Sequence, residues 1–397
     1  MTLLSGIRVL DLTNVLSGPF ATVHLALLGA DVVKIENPDG GDLARKLGAV
    51  PELNAALMGT SFLAQNANKR SLTLNLKTDE GRGIFLRLAA AADVVVENFR
   101  PGVMPRLGLS WEALRDINPR LIYCAISGFG QSGPDACKPA YDQIIQGLSG
   151  VMAINGDERL NPLRCGFPVC DTVGGLNAAF AIMAALYYRA RTGEGQFIDV
   201  SLLDSIMPLL GWVAANWLIG EQRPQVMGND NFTAAPSGTF ATKDGFINVA
   251  ANQQEQWENL AALLGLSHLT RDARFEKRDV RKQNRRALTA LLEARLRERT
   301  TAEWVPLLNQ LGIPAGAIPS LEQALASPQI AHRGTLQTVN APGIGELQLF
   351  GITARFEKTP GAVETAPPRL GADTEAVLAE AGYSADDIAA FRAAGAI

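Results

Sequence analysis

The first third of the chain alternates short apolar runs with helical stretches, and that alternation restricts it to an α/β sheet with parallel strands. Ile7–Leu12 reads as a strand, Pro19–Leu28 as a helix opened by proline and stopped at Gly29, and Asp31–Glu36 as a second strand. A polar stretch follows, then a helix over Asp79–Ala92 and strands over Asp93–Val96 and Leu121–Ser127. Strands separated by helical crossovers pair parallel through right-handed connections. Val173–Arg191 reads as a buried helix, followed by strand Gln196–Val200 and helix Leu202–Ile219.

The pattern changes at Glu221–Asn231, a polar stretch holding Pro224 and Gly228. Beyond it, Gly238–Ala250 reads as a hairpin turning at Lys243-Asp244-Gly245, with helices over Glu255–Leu264, Arg285–Arg299 and Thr301–Leu311. This region is expected to form a second, smaller domain, since 397 residues exceed one simple core. From about Ile330 the tail returns to short strands and ends in an Ala-rich helix.

Composition excludes several functions. Apolar residues make up 47% and charged residues 19%, which suits a well-packed enzyme rather than a disordered chain. The net charge is −4 and there is no basic block, so no nucleic-acid partner is expected. The N-terminus reaches Arg8 and a strand pattern at once, unlike a signal peptide. The longest uncharged runs, Thr172–Tyr188 and Ser205–Gly220, are short for a membrane span and carry Thr, Asn, Gly or Pro; they read as buried core helices, and no membrane partner is expected. Four irregularly spaced cysteines make no disulfide framework, which points to the cytoplasm. The three histidines, His24, His268 and His332, lie far apart, and Cys165 and Cys170 lack a second pair at zinc-site spacing, so no metal is expected.

Three segments carry chemistry. Gly128-Phe-Gly-Gln-Ser-Gly133 matches the dinucleotide fingerprint in letters, but Pro134 and Pro139 follow where a helix would have to start, so it reads as a glycine-rich turn. Asp171 lies in Gly166-Phe-Pro-Val-Cys-Asp171-Thr-Val-Gly-Gly, directly before the long helix. As an N-cap it would be structural, worth about 1 kcal/mol. As a functional carboxylate it would stay ionised through the helix dipole, with Gly174 and Gly175 leaving room for a ligand. Asn98-Phe-Arg-Pro-Gly102 follows a strand end, where α/β sheets bind ligands. Its Arg100, with Arg106, Lys69, Arg70 and Lys77, offers cations for phosphates, against the ordinary reading of solvated surface charge.

Together these segments resemble the class III CoA-transferases, the family of formyl-CoA transferase and carnitine CoA-transferase. The matching residues are Gly6-Ile-Arg-Val-Leu-Asp11, Ser17-Gly-Pro19, Leu28-Gly-Ala-Asp-Val-Val-Lys-Ile-Glu36, Asn68-Lys-Arg-Ser71 and Leu74-Asn-Leu-Lys77. Val96-Glu-Asn-Phe-Arg-Pro-Gly102, Ser127-Gly-Phe-Gly130, Asp171 in its glycine-rich setting and Pro368-Arg-Leu-Gly371 continue the match in family order.

The resemblance implies a Rossmann-like large domain built from both chain ends, residues 1–220 plus 330–397, with a smaller α+β domain at 221–329 and an interlocked homodimer. It implies Asp171 as the covalent nucleophile and CoA contacts at Leu16, Ser17, Asn37, Leu74, Lys77, Asn98, Phe99, Arg100, Arg106, Lys138, Tyr141 and Asp142. No cofactor is expected to stay bound; coenzyme A enters as acyl-CoA substrate, and a carboxylic acid accepts it. Formyl-CoA transferase carries Gln and Arg where this chain has Leu16 and Asn37, and its glycine run has no counterpart near Met227–Gly238. The polar segment Asn229–Gly238 suits a small polar acid rather than a long acyl chain. The pattern is similar to members handling C4–C5 dicarboxylates, implying a succinyl-CoA donor and an acceptor such as itaconate, mesaconate or glutarate, itaconate first. Two alternatives stand beside transfer. An α-methylacyl-CoA racemase would place a His-Asp pair where Tyr141-Asp142 stands, and tyrosine, with an ordinary pKa near 10, is a poor general base. A non-catalytic CoA-binding protein would not need a carboxylate such as Asp171.

Overall fold

The computed structural model describes residues 2–397. Its centre is a six-stranded parallel sheet in the order β3-β2-β1-β4-β5-β6, formed by β1 (Arg8–Asp11), β2 (Asp31–Glu36), β3 (Lys69–Thr73), β4 (Val94–Glu97), β5 (Ile122–Ser127) and β6 (Gln196–Ser201). This is a doubly wound order, with its reversal between β1 and β4. The expected strands are present within a residue or two at each end. The strand β3 lies in what read as a polar stretch: its Lys69, Arg70 and Ser71 disguise an element buried by its neighbours.

Helices follow from local signals. In α1 (Ser17–Leu27), Ala21, Thr22, Leu25 and Ala26 are buried. The next long helix, α2 (Asp79–Ala90), is capped by the Thr78 hydroxyl, which accepts the Gly81 N–H, and carries Asp79 and Glu80 against its positive end. It buries Ile84, Phe85 and Leu88 in a core shared with Leu10, Leu72, Val95 and Tyr123. After β5 come α3 (Asp142–Leu148) and α4 (Val169–Thr192), the latter of 24 residues and about 36 Å long. The stretch after β6 is not one helix but α5 (Leu202–Ile206) and α6 (Gly211–Gly220), separated by a tight turn at Pro208 and a left-handed Gly211.

The chain divides into two compact units. The first runs to Gly150 and includes Cys165–Ile219 and Gln329–Ile397; the second is Val151–Arg164 with Gly220–Pro328. Val151–Arg164 thus groups with the second unit although it lies inside 1–220. The second unit contains the antiparallel hairpin β7 (Ser237–Ala241) and β8 (Phe246–Ala250), helices α7 (Gln254–Leu263), α8 (Arg285–Leu296) and α9 (Thr301–Gln310), and β9 (Ala315–Ala317) beside β8. Trp257, Phe275, Leu292 and Trp304 lie in its core. In the first unit the tail adds the hairpin β10 (Leu336–Ala341) and β11 (Gly345–Phe350), then α10 (Thr374–Glu380) and α11 (Ala385–Ala393).

By length and composition alone, the helix Val169–Thr192 and the interrupted stretch Leu202–Gly220, both longer than the uncharged runs within them, are long and apolar enough to cross a membrane. Neither is a wholly buried core helix. On α4, Leu176, Phe180, Tyr187 and Tyr188 are exposed, and on α6 so are Trp217, Leu218 and Ile219.

Candidate active site

Because all six strands are parallel, their carboxyl ends share one edge of the sheet. The loops leaving that edge carry the expected CoA contacts: Leu16 and Ser17 after β1, Asn37 after β2, Leu74 to Lys77 after β3, Asn98 to Arg100 after β4, and Lys138 to Asp142 after β5. The helix α4 enters β6 at that strand's amino end, so its own N-terminus, with Asp171, lies toward the same edge. Its far end is tied to the opposite edge by Arg189, which pairs with Asp93 at 2.7 Å just before β4.

The contacts differ in what they leave free. Asn37, Lys77, Arg100 and Arg106 are exposed, Phe99 is half-buried, and Lys138 pairs with Asp135 at 2.6 Å while staying largely open. Tyr141 is 69% exposed and caps α3 without a side-chain bond. Leu74 is different: its side chain lies in the core, leaving only backbone to a ligand. The Asn98 amide is half-buried and already engaged, accepting the Asn14 N–H at 2.7 Å and donating to the Asn14 carbonyl at 2.9 Å. Lys69 and Arg70 are not available to phosphates. Lys69 is buried against Asp11 at 3.0 Å, and Arg70 bridges Asp31 and Glu380, each at 2.7 Å.

Asn98 is one of several side chains that clamp the loop Thr13–Ser17, with Asp11 accepting the Thr13 N–H. Others are Lys34, whose ammonium donates to the Thr13 carbonyl at 2.7 Å, and Asp42, which accepts the Val15 N–H at 2.9 Å. They hold Val15 at φ +66°, a left-handed conformation costly for a β-branched residue. The loop delivers Ser17 to α4. A Cβ on Gly175 would stand 2.5 Å from the Ser17 carbonyl oxygen, and one on Gly174 would stand 2.2 Å from Leu202 of α5. The paired glycines therefore serve helix packing, not ligand access as expected. Gly175 is four residues after Asp171, on the same helical face, so the start of α1 approaches within one turn of that carboxylate.

Asp171 is not the N-cap. The helix starts at Val169 with Pro168 before it, which puts Asp171 at the third helical position. Nor does the dipole keep its pKa low. Burial first, and the charge of Asp142 second, push it up to about 7. Asp142 does the capping: its Oδ1 accepts the N–H groups of Cys170 at 2.8 Å and Asp171 at 3.3 Å. Its carboxylate is buried and occupied, which removes it from the expected CoA contacts. Near the glycine-rich turn, the Ser127 hydroxyl is buried without a partner among the described residues, and no helix follows Gly133 before Asp142.

The segment Asn229–Gly238, expected to offer polar groups to an acceptor acid, spends several of them internally. Asn231 Oδ1 accepts both the N–H and the hydroxyl of Thr233, while Arg278 and Arg285 hold the carbonyls of Thr233 and Asn231.

A doubly wound sheet with a basic carboxylate and clamped loops at its carboxyl edge describes a known class of enzymes, and the chain belongs to it: the model of CoA-transferase family III matches residues 4–374. This is a CoA-transferase, acting on CoA thioesters. Among its relatives is the succinyl-CoA:glutarate CoA-transferase of Mus musculus, 40% identical over 377 residues that cover 95% of this chain and 86% of the relative. The succinate–glutarate CoA-transferase of Agrobacterium fabrum is 37% identical over 381 residues, 95% of each chain. A crystal structure of a CaiB/BaiF family protein from Brucella suis superposes with a TM-score of 0.84 at 37% identity, covering 96% of this chain and 99% of that one.

Proposed function

We propose that this enzyme moves CoA from succinyl-CoA to a C4–C5 dicarboxylic acid through an aspartyl-CoA thioester on Asp171. The carrying observation is that carboxylate: half-buried in the first turn of α4, toward the ligand edge of the sheet, and made basic by burial and by Asp142. A carboxylate attacks a thioester better when desolvated and basic. Asp171 adds to the donor carbonyl, giving a mixed anhydride and CoA thiolate. The thiolate then attacks the aspartyl carbonyl, releasing succinate and leaving Asp171 as its CoA thioester. The acceptor carboxylate repeats the two steps in reverse and restores the aspartate. Each step exchanges one activated acyl bond for another, so no net proton, electron or phosphate is consumed. Leu16, Ser17, Asn37, Lys77, Phe99, Arg100, Arg106, Lys138 and Tyr141 are proposed as the CoA contacts, with Leu74 acting through its backbone.

The names of the Mus musculus and Agrobacterium fabrum relatives support a glutarate-like acceptor. Itaconate, a C5 dicarboxylate, remains within the proposal. Incubation with succinyl-CoA alone is expected to add CoA less water to the peptide holding Asp171, in a form that hydroxylamine removes. Among acceptors, glutarate and itaconate should exceed carnitine and long-chain fatty acids in kcat/KM. The absence of the adduct under thioester-preserving quench, or a win for carnitine, overturns the respective half of the reading.

The same reading includes an interlocked homodimer in the cytoplasm. Its support is the apolar surface on α4 and α6, where Phe180 is 72% and Ile219 is 86% exposed, together with four free cysteines. Such surface needs a cover, and a second copy is favoured over lipid because α4 is tied to the sheet by the pair of buried Arg189 with half-buried Asp93. Light scattering across a dilution series should find the dimer mass unchanged until the protein unfolds. A reversible monomer would refute the interlock.

A further inference from the structure

We infer that Asp142 and Gln146 form a clamp that positions Asp171 and sets a fixed negative charge beside it, and that Asp142 acts through Asp171 rather than on CoA. The inference deepens the reading of Asp171 as nucleophile and rests on it.

The two residues lie one turn apart on α3. Asp142 Oδ1 accepts the N–H groups of Cys170 and Asp171, and Oδ2 accepts the Gln146 amide at 2.6 Å. Gln146, fully buried, also donates to the Phe167 carbonyl at 3.2 Å, and its oxygen accepts the Cys165 N–H at 2.9 Å. The pair therefore holds the chain at Cys165, Phe167, Cys170 and Asp171, the whole approach to α4. A helix start needs such partners for its unpaired N–H groups. Pro168 at the cap position has no side-chain acceptor to give. A neutral serine or asparagine would have capped as well. The charged residue does something more, because its charge stands beside a second carboxylate.

Among the described residues, the groups that α1, α5, β5 and β6 bring toward this turn include no cation. The α1 helix brings Ser17 and Phe20, with His24 further along, its pKa lowered by burial and so neutral at pH 7. The α5 helix brings Leu202 and the exposed Asp204. On β5, Tyr123 and Cys124 are held protonated by burial, and Cys170 is pushed up to about 12 by burial and then by Asp142 and Asp171. On β6, the Asp199 oxygens take the Gln131 N–H. Asp142 is accordingly the charge that, after burial, raises Asp171. The capping bond and the like-charge pair come from one side chain, so a nucleophile that is held in place is also kept basic.

The test is the pH profile of kcat/KM with succinyl-CoA and glutarate. The acid limb of the parent enzyme should fall near pH 7, where Asp171 ionises. In Asp142→Asn the limb should move down by about one pH unit or more, with kcat at pH 8 lowered about tenfold and KM for the acyl-CoA changed less than about twofold. Asp142→Ser gives the same shift through a different neutral cap, should the asparagine variant be unstable. Gln146→Ala, which loosens the clamp but keeps the charge, should lower kcat with the limb unmoved. A raised KM with an unmoved limb in both Asp142 variants overturns the inference and makes Asp142 a CoA contact. The adduct on Asp171 separates the two claims. If the parent enzyme forms it and the limb does not move, the clamp fails; if the parent forms none, the nucleophile itself fails.

Discussion

Asp171→Asn is expected to lose at least about 10³-fold in transfer rate and yet to be more stable than the parent protein at pH 8. The loss of rate follows from the proposed role of Asp171, whose carboxylate forms the anhydride and the thioester in that mechanism. The gain in stability follows from the folded carboxyl titrating near pH 7 against an ordinary value of 3.8. Below about pH 4 the group is protonated in both folded and unfolded chains, and aspartic acid and asparagine are nearly alike. Between pH 4 and 7 the folded protein keeps a proton that the unfolded chain releases, so parent stability falls as pH rises through that window. Above pH 7 the parent bears the full cost of a desolvated charge beside Asp142, on the order of 2 kcal/mol after allowing for solvent screening at a half-buried group. Melting at pH 4.5 and pH 8 should show a gap of a few degrees in favour of the variant at the higher pH only. A variant less stable than its parent at pH 8 would mean that the carboxylate is solvated or paired, and its proposed nucleophilicity would lose its physical basis.

What the sequence shows of this molecule, and what it hides, divides along the kind of signal involved. Periodicity and helix stops are enough for β1, α1, β2, α2, β4, β5 and β6, because each carries its apolar residues at strand or helix spacing. The strand at Lys69–Thr73 was hidden because two of its polar residues face not water but partners distant in sequence: Lys69 meets Asp11, and Ser71 meets Glu36 and Asp373. A buried ion pair looks like surface until the second residue is known to be there. At the site, the glycine-rich setting of Asp171 was legible, but its meaning was inverted. The glycines admit Leu202 and Ser17, the cap is supplied by Asp142 from another helix, and the dipole is outweighed by burial. Each depends on which helix packs against the first turn of α4, and no local pattern in 165–175 reports that. Gln146 was missed for the same reason. The one available sign was its spacing, i and i+4 from Asp142 on a helix, which places the two side chains on one face.

Asp11→Asn is expected to cost the fold heavily, about 3–5 kcal/mol. Asp11 ends β1 fully buried, and it is where the sheet takes hold of the ligand loop. Its Oδ1 accepts the Thr13 N–H at 2.9 Å and hydroxyl at 2.5 Å, and its Oδ2 accepts the Thr22 hydroxyl at 2.7 Å and the Lys69 ammonium at 3.0 Å. Burial alone would raise its pKa; Lys34, Lys69 and the two hydroxyls more than offset that and hold it well below the usual carboxylate range. Lys69, by contrast, is lowered to about 8 by burial, with Asp11 as the main opposing influence. Removing the aspartate charge leaves Lys69 buried without its carboxylate, so the cost is that of an uncompensated charge rather than of one lost bond. The same change frees Thr13, the start of the loop that holds Val15 at φ +66° and delivers Leu16 and Ser17. That strained backbone persists only while its surroundings over-determine it. Asp11→Asn should therefore also raise KM for the acyl-CoA in whatever fraction stays folded. Urea unfolding of Asp11→Asn, Lys69→Met and the double variant separates the causes. If charge imbalance dominates, the double variant recovers at least about 1 kcal/mol over Asp11→Asn, and the coupling energy is large. Additive losses would instead assign the cost to the threonine bonds, and the buried pair would then matter for the loop rather than for the fold.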